Sequence, residues 1–226
     1  MHVEVIPTED LSSRAALWVA DRVWSAWAER GTAHLAVSGG SSPAVMFVAL
    51  AGLRLPWEHV HVWQVDERVA PEGDPDRNAN QLRPLREAGA HVHEMDVADP
   101  DLDRAAVAYA GDLHVACGGI LDVVHLGLGA DGHTASWTPG DPVIGVDDRD
   151  VAVSREYQGR VRLTLTRPVV NRARAVCFLV SGAAKAAALT GLITGDPSMP
   201  ASAVRVETAR CFADPAARGH RPVGPR

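Results

Sequence analysis

The sequence predicts an α/β fold with a mostly parallel, twisted sheet flanked by helices on both faces, as in Rossmann-like proteins. Short apolar runs alternate with helical patterns along most of the 226 residues, and this alternation is typical of βαβ units. Loops rich in glycine and polar residues directly follow several of the runs, where parallel strands lead into helices. A chain of this length suits one domain with a full hydrophobic core.

Six apolar runs predict strands, in chain order at 3–6, 34–38, 60–65, 122–129, 160–166 and 175–182. The first run precedes a helix, because Ala16, Ala20, Val23 and Trp27 recur at helical spacing. The run 160–166 alternates like a half-exposed strand, and the run 175–182 leads into an alanine-rich helix. The other runs lead into turns, loops or further helices.

Two segments have the composition of irregular chain. Residues 66–80 are rich in proline, aspartate and asparagine, and a loop of this length in a small domain is often functional. Residues 214–226 predict a flexible C-terminal tail. We therefore expect a single α/β domain over residues 1–213.

The composition limits the kinds of partner. The net charge is −6 and the sequence pI is about 5.9. Because the sequence shows no stripe of basic residues, we expect no nucleic acid partner. No apolar run reaches the roughly 18 residues that a membrane span needs, and the N-terminal residues lack the pattern of a signal peptide. The three cysteines share no metal-type spacing. We expect a cytoplasmic protein without membrane contact, monomeric or weakly homodimeric.

The segment SGGSSP (38–43) ends one predicted strand and begins a helix. Ser42 suits the N-cap position and Pro43 the first helical position. Gly39 and Gly40 allow the backbone to approach a ligand, and free N–H groups at a helix N-terminus attract anions such as phosphate. The segment predicts an anion site, with a simple tight turn as the alternative.

Basic residues follow two other predicted strands. Arg68 in VDER can hold a phosphate through two nitrogens, while Asp66 and Glu67 can act as acid or base or hold the arginine in place. Lys185 in SGAAK is the only lysine in the chain, and a cation in a first helical turn opposes the helix dipole unless an anion binds there. We expect both cations to bind phosphate, against the alternative of a solvated charge run at Arg68.

The glycine-rich segment GLGADGH (127–133) places one histidine in an open loop. His133 can act as a general base near neutral pH, and Asp131 can orient its ring. Backbone N–H groups within Gly129–Gly132 are expected to face a ligand, although the sequence does not indicate which of them do. The alternative is a turn histidine with a structural hydrogen bond.

Other kinds of chemistry find less support. The pairs His59/His61 and His91/His93 have strand spacing, but a metal site needs about three ligands, so we interpret them as exposed strand faces and expect no metal. The sequence has no nucleophile elbow and no cysteine in an activating motif. The remaining groups suit a phosphorylated small molecule whose carbonyl carbon is attacked by water.

In their order and spacing, these segments resemble the 6-phosphogluconolactonase family, within the group that includes glucosamine-6-phosphate deaminase. The resemblance runs from LAVSGGSSP through VDERVAP, LGLGADGHTAS, RLTLT and LVSGAAK to PASAV (200–204). It implies a fold of the glucosamine-6-phosphate deaminase/ribose-5-phosphate isomerase type. It also implies hydrolysis of 6-phospho-D-glucono-1,5-lactone to 6-phospho-D-gluconate in the oxidative pentose phosphate pathway, without a cofactor.

The resemblance also implies roles for individual residues. His133 matches the catalytic histidine, and Asp66 and Asp131 match polar positions that we group with it. The residues implied to bind the substrate and its phosphate are Ser38, Gly39, Gly40, Ser41, Arg68, Asn78, Gly129, Gly132, Arg162 and Lys185.

Two alternatives belong to other functional classes. A deaminase of the same group resembles DGHIAFNEPG, with a glutamate where this chain has Thr138, and carries tyrosine where this chain has Arg68; both differences favour the lactonase. A non-catalytic sugar-phosphate effector domain would need a helix-turn-helix segment, which we do not expect in one acidic domain. Trp137, Thr138 and the segment REYQG (155–159) depart from the lactonase pattern, which leaves the pocket wall and the substrate preference open.

Overall fold

The computed structural model describes residues 1–219, and this part of the chain forms ten β-strands and six α-helices. The strands are β1 (His2–Val5), β2 (Ala33–Val37), β3 (Val60–Gln64), β4 (Asp66–Arg68), β5 (His91–His93), β6 (Val123–Leu126), β7 (Val151–Val153), β8 (Arg162–Leu165), β9 (Val176–Val180) and β10 (Ala209–Ala213). The helices are α1 (Thr8–Arg30), α2 (Ser41–Ala51), α3 (Arg83–Glu87), α4 (Leu102–Cys117), α5 (Arg167–Asn171) and α6 (Ala186–Thr194).

Seven strands form the main sheet in the order β1-β10-β9-β6-β2-β3-β5. Every neighbouring pair in it is parallel, which confirms the predicted mostly parallel sheet. The strand order reverses between β2 and β6, since β3 and β5 lie on one side of this point and β9, β10 and β1 on the other. Ligands of open α/β sheets bind beyond the carboxyl ends of the strands at such a reversal.

Helices cover both faces of this sheet, as predicted. Strand β2 is buried throughout, and its alternate side chains enter two separate apolar clusters. Leu35 and Val37 pack with residues of α1, α2 and α3, such as Phe47. Ala36 belongs to the cluster on the opposite face, together with residues of α4 and α6 such as Leu113 and Leu189.

A second, antiparallel sheet of three strands lies beside the first, in the order β4-β8-β7. Its strand β8 was expected to be half exposed, and this is wrong: all four of its residues are buried. Leu163 and Leu165 belong to the core cluster, while Arg162 pairs in register with Arg68 of β4. The alternating pattern therefore marks one apolar face and one polar face, both shielded from solvent.

Two predicted boundaries need correction. Segment 66–80 is not irregular throughout, because it begins with β4 and ends inside a 3-10 turn, Asn78–Leu82. The folded domain also extends past residue 213: Asp214 is buried, and its carboxylate accepts hydrogen bonds from Ser181 Oγ and from the N–H groups of Gly182 and Ala217. The rest of the predicted tail, 220–226, lies outside the described residues.

Of the two histidine pairs, only His91 lies on an exposed strand face, so our interpretation is wrong for the other three histidines. His59 ends a 3-10 turn. His61 and His93 are partly buried, with Nδ1 of His61 2.9 Å from Nε2 of His93, and His93 stacks on Trp63 with ring centroids 3.7 Å apart. Within residues 1–219, no group of three or more His, Cys, Asp or Glu side chains has the geometry to hold a metal ion. No helix in this range combines the length and apolarity of a membrane span.

Candidate active site

A cavity of about 250 Å³ opens beyond the carboxyl ends of β2, β6 and β9, where the strand order reverses. It is smaller than the pockets that bind drug-sized ligands, so it suits a small molecule. Of the residues predicted from the sequence, it brings together Ser38, Gly39, Gly40, Ser41, Asp66, Arg68, Asn78, Gly129, His133, Arg162 and Lys185. Asp131 and Gly132 are not among the residues that line it.

The turn after β2 forms one wall of the cavity. Gly40, with φ of 138°, precedes α2 and the helix begins at Ser41, so the prediction of Ser42 as N-cap is wrong. The N–H of Ser38 donates to the carbonyl of His125 at 3.1 Å and the N–H of Gly40 to Gln81 Oε1 at 2.8 Å. In the described part of the chain, the N–H groups of Gly39, Ser41 and Ser42 have no acceptor. These three N–H groups remain available to an anion.

Asn78 comes so close to this turn that Gly39 cannot carry a side chain. A Cβ on Gly39 would overlap Oδ1 and Cγ of Asn78. Asn78 is itself fixed, because its Nδ2 donates to the carbonyl of Asp66 at 2.9 Å and its N–H donates to Glu67 Oε1 at 2.8 Å. A glycine at position 39 thus lets two chain segments meet at the cavity wall.

Glu67 does not line the cavity, but it holds in place the loop that contributes Asn78 to the cavity wall. Its fully buried carboxylate accepts from Gln64 Nε2 at 2.7 Å and from the N–H groups of Asn78 and Ala79 at 2.8 and 2.9 Å. Arg77 Nε lies 3.2 Å from it. Neither role considered for Glu67 is observed, because it does not line the cavity and its ion pair is with Arg77, not with the Arg68 side chain. Its contacts fix the loop around Asn78.

Asp66 and Arg162 place opposite charges at the floor of the cavity. Burial raises the pKa of Asp66, although a hydrogen bond from Ser136 Oγ at 2.7 Å and the charges of Arg162 and Arg68 act in the other direction. Burial disfavours the charged form of Arg162 as well and so lowers its pKa, whereas the negative charge of Asp66 acts to raise that pKa. The two groups stabilise each other's charged forms in a site shielded from water.

Three buried polar atoms at the cavity have no hydrogen-bond partner among residues 1–219: Ser38 Oγ, Asn78 Oδ1 and Arg162 Nε. A buried polar atom without a partner costs free energy. Two of these atoms are oxygens and one belongs to a cation, so the set can bind hydroxyl and anionic groups. The concentration of three such atoms in one cavity indicates a polar ligand.

His133 lines the cavity from the loop after β6, and Asp131 orients it. Nδ1 of His133 lies 2.6 Å from Asp131 Oδ1, so the carboxylate favours the tautomer with the proton on Nδ1 and leaves Nε2 as an acceptor. Tyr157 OH donates to the other oxygen, Oδ2, at 3.0 Å. Partial burial would raise the pKa of Asp131, but the charge and hydrogen bonds of His133 and the bond from Tyr157 hold it below its usual value.

The glycine-rich loop uses two of its own N–H groups internally. The N–H of Gly129 donates to the carbonyl of His133 at 2.8 Å, and the N–H of Gly132 donates to the carbonyl of Gly129 at 3.1 Å. The expectation of ligand-facing N–H groups within Gly129–Gly132 is therefore wrong for these two, while those of Ala130 and Asp131 have no backbone acceptor among residues 1–219. Gly132 instead packs next to the side chain of Met199.

Lys185 lies directly before α6, at the end of the 3-10 turn Ala183–Lys185. Among the described residues, neither Lys185 nor Arg68 forms an ion pair with a carboxylate, although Arg68 Nη1 donates to the neutral carbonyl of Asp76 at 2.7 Å. The cavity therefore contains two cations without an ion-pair partner in the described part of the chain.

Several residues of the site were not anticipated. Gln158 and Ser181 line the cavity, and Tyr157 reaches Asp131 from a distant hairpin. Trp137, by contrast, does not line the cavity: it is fully buried, and its Nε1 donates to the carbonyl of Leu165 at 2.8 Å. Gly159 is a typical turn residue, but nothing local in the sequence indicates which site the hairpin faces.

The sequence profile of the family described as "Glucosamine-6-phosphate isomerases/6-phosphogluconolactonase" matches residues 7–213. The chain belongs to this family. A family member from Synechocystis sp., named 6-phosphogluconolactonase, is 40% identical over 196 residues, which cover 82% of this chain and 81% of that protein.

Solved structures of the family share the fold. A 6-phosphogluconolactonase from Thermotoga maritima superimposes with a TM-score of 0.84 at 24% identity, covering 94% of this chain and 98% of that one. A monomeric glucosamine-6-phosphate deaminase gives a TM-score of 0.82 at 20% identity, covering 98% of this chain and 100% of that one. Because lactonase and deaminase match equally well, the fold alone does not distinguish the two activities.

Proposed function

We propose that the chain is a 6-phosphogluconolactonase, which hydrolyses 6-phospho-D-glucono-1,5-lactone to 6-phospho-D-gluconate in the oxidative pentose phosphate pathway. The observation that carries the proposal is that one small cavity contains both His133, oriented by Asp131, and the cations Arg68, Arg162 and Lys185. The 40% identity to a protein of that name supports the same activity.

In this proposal the phosphate lies between the turn after β2 and Lys185. The N–H groups of Gly39, Ser41 and Ser42 and the N-terminal end of α2 attract the anion. Lys185 supplies the charge that no protein carboxylate neutralises, and Arg68 adds a second cation. The orphaned oxygens of Ser38 and Asn78 are suited to accept hydrogen bonds from sugar hydroxyls.

Nε2 of His133 accepts a proton from a water molecule while the water oxygen attacks C1 of the lactone. The bond between C1 and the ring oxygen then breaks, and the ring oxygen takes the proton back from His133. Asp131 stabilises the imidazolium ion that exists between the two transfers. A positioned general base contributes roughly 10²–10⁴-fold, which is sufficient for an ester that also hydrolyses unaided.

The test is lactone decay measured against the spontaneous background. Wild-type protein is expected to accelerate the decay, and His133→Ala to lower kcat by about 10²–10⁴-fold with KM nearly unchanged, because the base acts in the transition state alone. A near-wild-type kcat in that variant would refute the mechanism. Ammonia release from glucosamine 6-phosphate is the matched assay for a deaminase, and binding without turnover of either compound would favour an effector domain.

A cytoplasmic location and a monomeric or weakly dimeric state remain predictions from the sequence. Sedimentation at several protein concentrations measures the second of these directly, since a weak dimer dissociates on dilution.

A further inference from the structure

A hairpin between β7 and β8 reaches over the loop that holds His133. Its two arms meet where the backbone of Tyr157 pairs with that of Arg160, at 3.0 and 3.3 Å. The turn between them contains Gln158 with φ of 53° and Gly159 with φ of 76°, as two-residue hairpin turns require. This geometry carries Tyr157 to the catalytic loop, which lies 26 positions away at Asp131.

Tyr157 contacts three groups of the candidate site without lining the cavity. Its hydroxyl donates to Asp131 Oδ2 at 3.0 Å. Its ring packs edge-on against His133, with centroids 5.4 Å apart, and the guanidinium carbon of Arg162 lies 5.2 Å from its ring centre. The ring thus contacts both the proposed base and a cavity cation.

We propose that Tyr157 is a positioning residue for His133 and acts through the Asp131 carboxylate. The inference rests on the proposed function. Asp131 and His133 lie two residues apart on one loop, and their side chains are 35% and 25% exposed, so the rest of the protein holds the pair only in part. With Oδ1 bound to His133 and Oδ2 bound to Tyr157, the carboxylate can no longer rotate, and the imidazole keeps the tautomer and angle that its role as base requires.

The hairpin is itself fixed to the loop that follows β4. Arg160 Nη2 lies 3.0 Å from Asp74 and 3.2 Å from Asp76. The carbonyl of Asp76 accepts from Arg68. The hairpin that carries Tyr157 is therefore connected through Asp76 to β4, which carries the proposed phosphate ligand Arg68.

By donating a hydrogen bond, the hydroxyl of Tyr157 also reduces the negative charge that Asp131 presents to His133. A carboxylate that gives part of its charge to a second donor attracts the imidazolium proton less strongly. Removing the hydroxyl leaves more of the carboxylate charge facing the imidazole of His133. The other charged groups around Tyr157 and His133 are Arg162, with Asp66 and Arg68 behind it, and replacement by phenylalanine leaves all three in place.

The test is Tyr157→Phe, which keeps the ring and its packing. We expect kcat to fall about 5- to 10-fold, the size of one ordinary hydrogen bond in a part-exposed site, with KM within twofold. We also expect the acid limb of the kcat/KM profile to move to higher pH. In an Asp131→Asn background, the same substitution is expected to produce little further change, because its effect acts through the carboxylate.

The matched control is Glu156→Gln on the same hairpin, at an exposed residue whose side chain forms no ion pair or hydrogen bond within residues 1–219. This variant is expected to leave kcat, KM and the acid limb unchanged. If Tyr157→Phe behaves like Glu156→Gln, the positioning role is refuted while lactone hydrolysis by the wild type and its loss in His133→Ala stand. If the wild type itself does not hydrolyse the lactone, the proposed function fails first.

Discussion

At the scale of single residues, the orientation of His133 depends on a glycine four positions earlier. The φ of Gly129 is not in the left-handed region, so its backbone alone would accept any residue. A Cβ at this position, however, would overlap Nδ1 of His133 and Oδ1 of Asp131. Glycine is required at position 129 because the Asp131–His133 pair folds back across it.

Gly129→Ala is therefore expected to displace the pair and to lower kcat at least tenfold, with a smaller change in KM. Steady-state kinetics together with the melting temperature measure this. The control is Gly111→Ala, at an exposed position of α4 where a Cβ meets no atom within 4 Å; it is expected to add about 0.5–1 kcal/mol of stability and to leave kinetics unchanged. A fully active Gly129→Ala variant would show that His133 does not need this position.

At the scale of elements, Glu67 joins three segments that approach the site from different parts of the chain. It connects β4 to the 3-10 turn at Asn78 and, through Gln64, to β3. Gln64 in turn accepts from the N–H of Met95 at 2.7 Å. The position of the cavity wall at Asn78 is thus set by one buried carboxylate.

Glu67→Gln is expected to lower the free energy of unfolding by about 3 kcal/mol, because it removes the nearer ion-pair partner of the buried Arg77, which keeps only Glu94 at 3.9 Å, and points an NH₂ group at other donors. KM for the lactone is expected to rise as Asn78 shifts. Urea unfolding and steady-state kinetics measure the two effects. A variant with wild-type stability would mean that the network tolerates a neutral acceptor.

The same elements show what a single sequence can predict. Long apolar runs and the polar residues directly after them were identified, because periodicity and strand ends are local features. Strand β4, read from the letters DER, was missed because it exists through pairing with β8, which is a tertiary effect. Tyr157 was missed for the same reason, and the N–H groups of Gly129 and Gly132 were misassigned because glycine content does not reveal which carbonyls the loop itself supplies.

At the scale of the whole molecule, two buried histidines make stability depend on pH. Burial lowers the pKa of His125 to about 3, and burial with neighbouring His61 and His93 lowers that of His34 to about 4. Both values are below the usual 6.5, so the unfolded chain binds more protons than the folded one below pH 6.5. The free energy of unfolding therefore falls as the pH drops through this window.

Between pH 6.5 and pH 5, the free energy of unfolding of the wild type is expected to fall by about 1.5 kcal/mol more than that of the His125→Leu variant. His125 is the better target of the two, because it lies in the central strand β6 and neither ring nitrogen has a partner within residues 1–219. Denaturant titrations at pH 7.5, 6.5 and 5.0 give the free energy of unfolding at each pH, and hence its slope against pH, for the variant and the wild type. Parallel slopes for variant and wild type would show that His125 is not the titrating group.

The single lysine has a practical consequence for studying this protein. An amine-directed reagent, such as an acylating dye or formaldehyde with a reductant, finds a single side-chain amine in the full sequence, that of Lys185. Because Lys185 lines the cavity, the extent of labelling at that one position reports directly whether the cavity is occupied. A phosphorylated compound that binds there would protect the amine from modification, so affinity can be measured by mass spectrometry without any turnover.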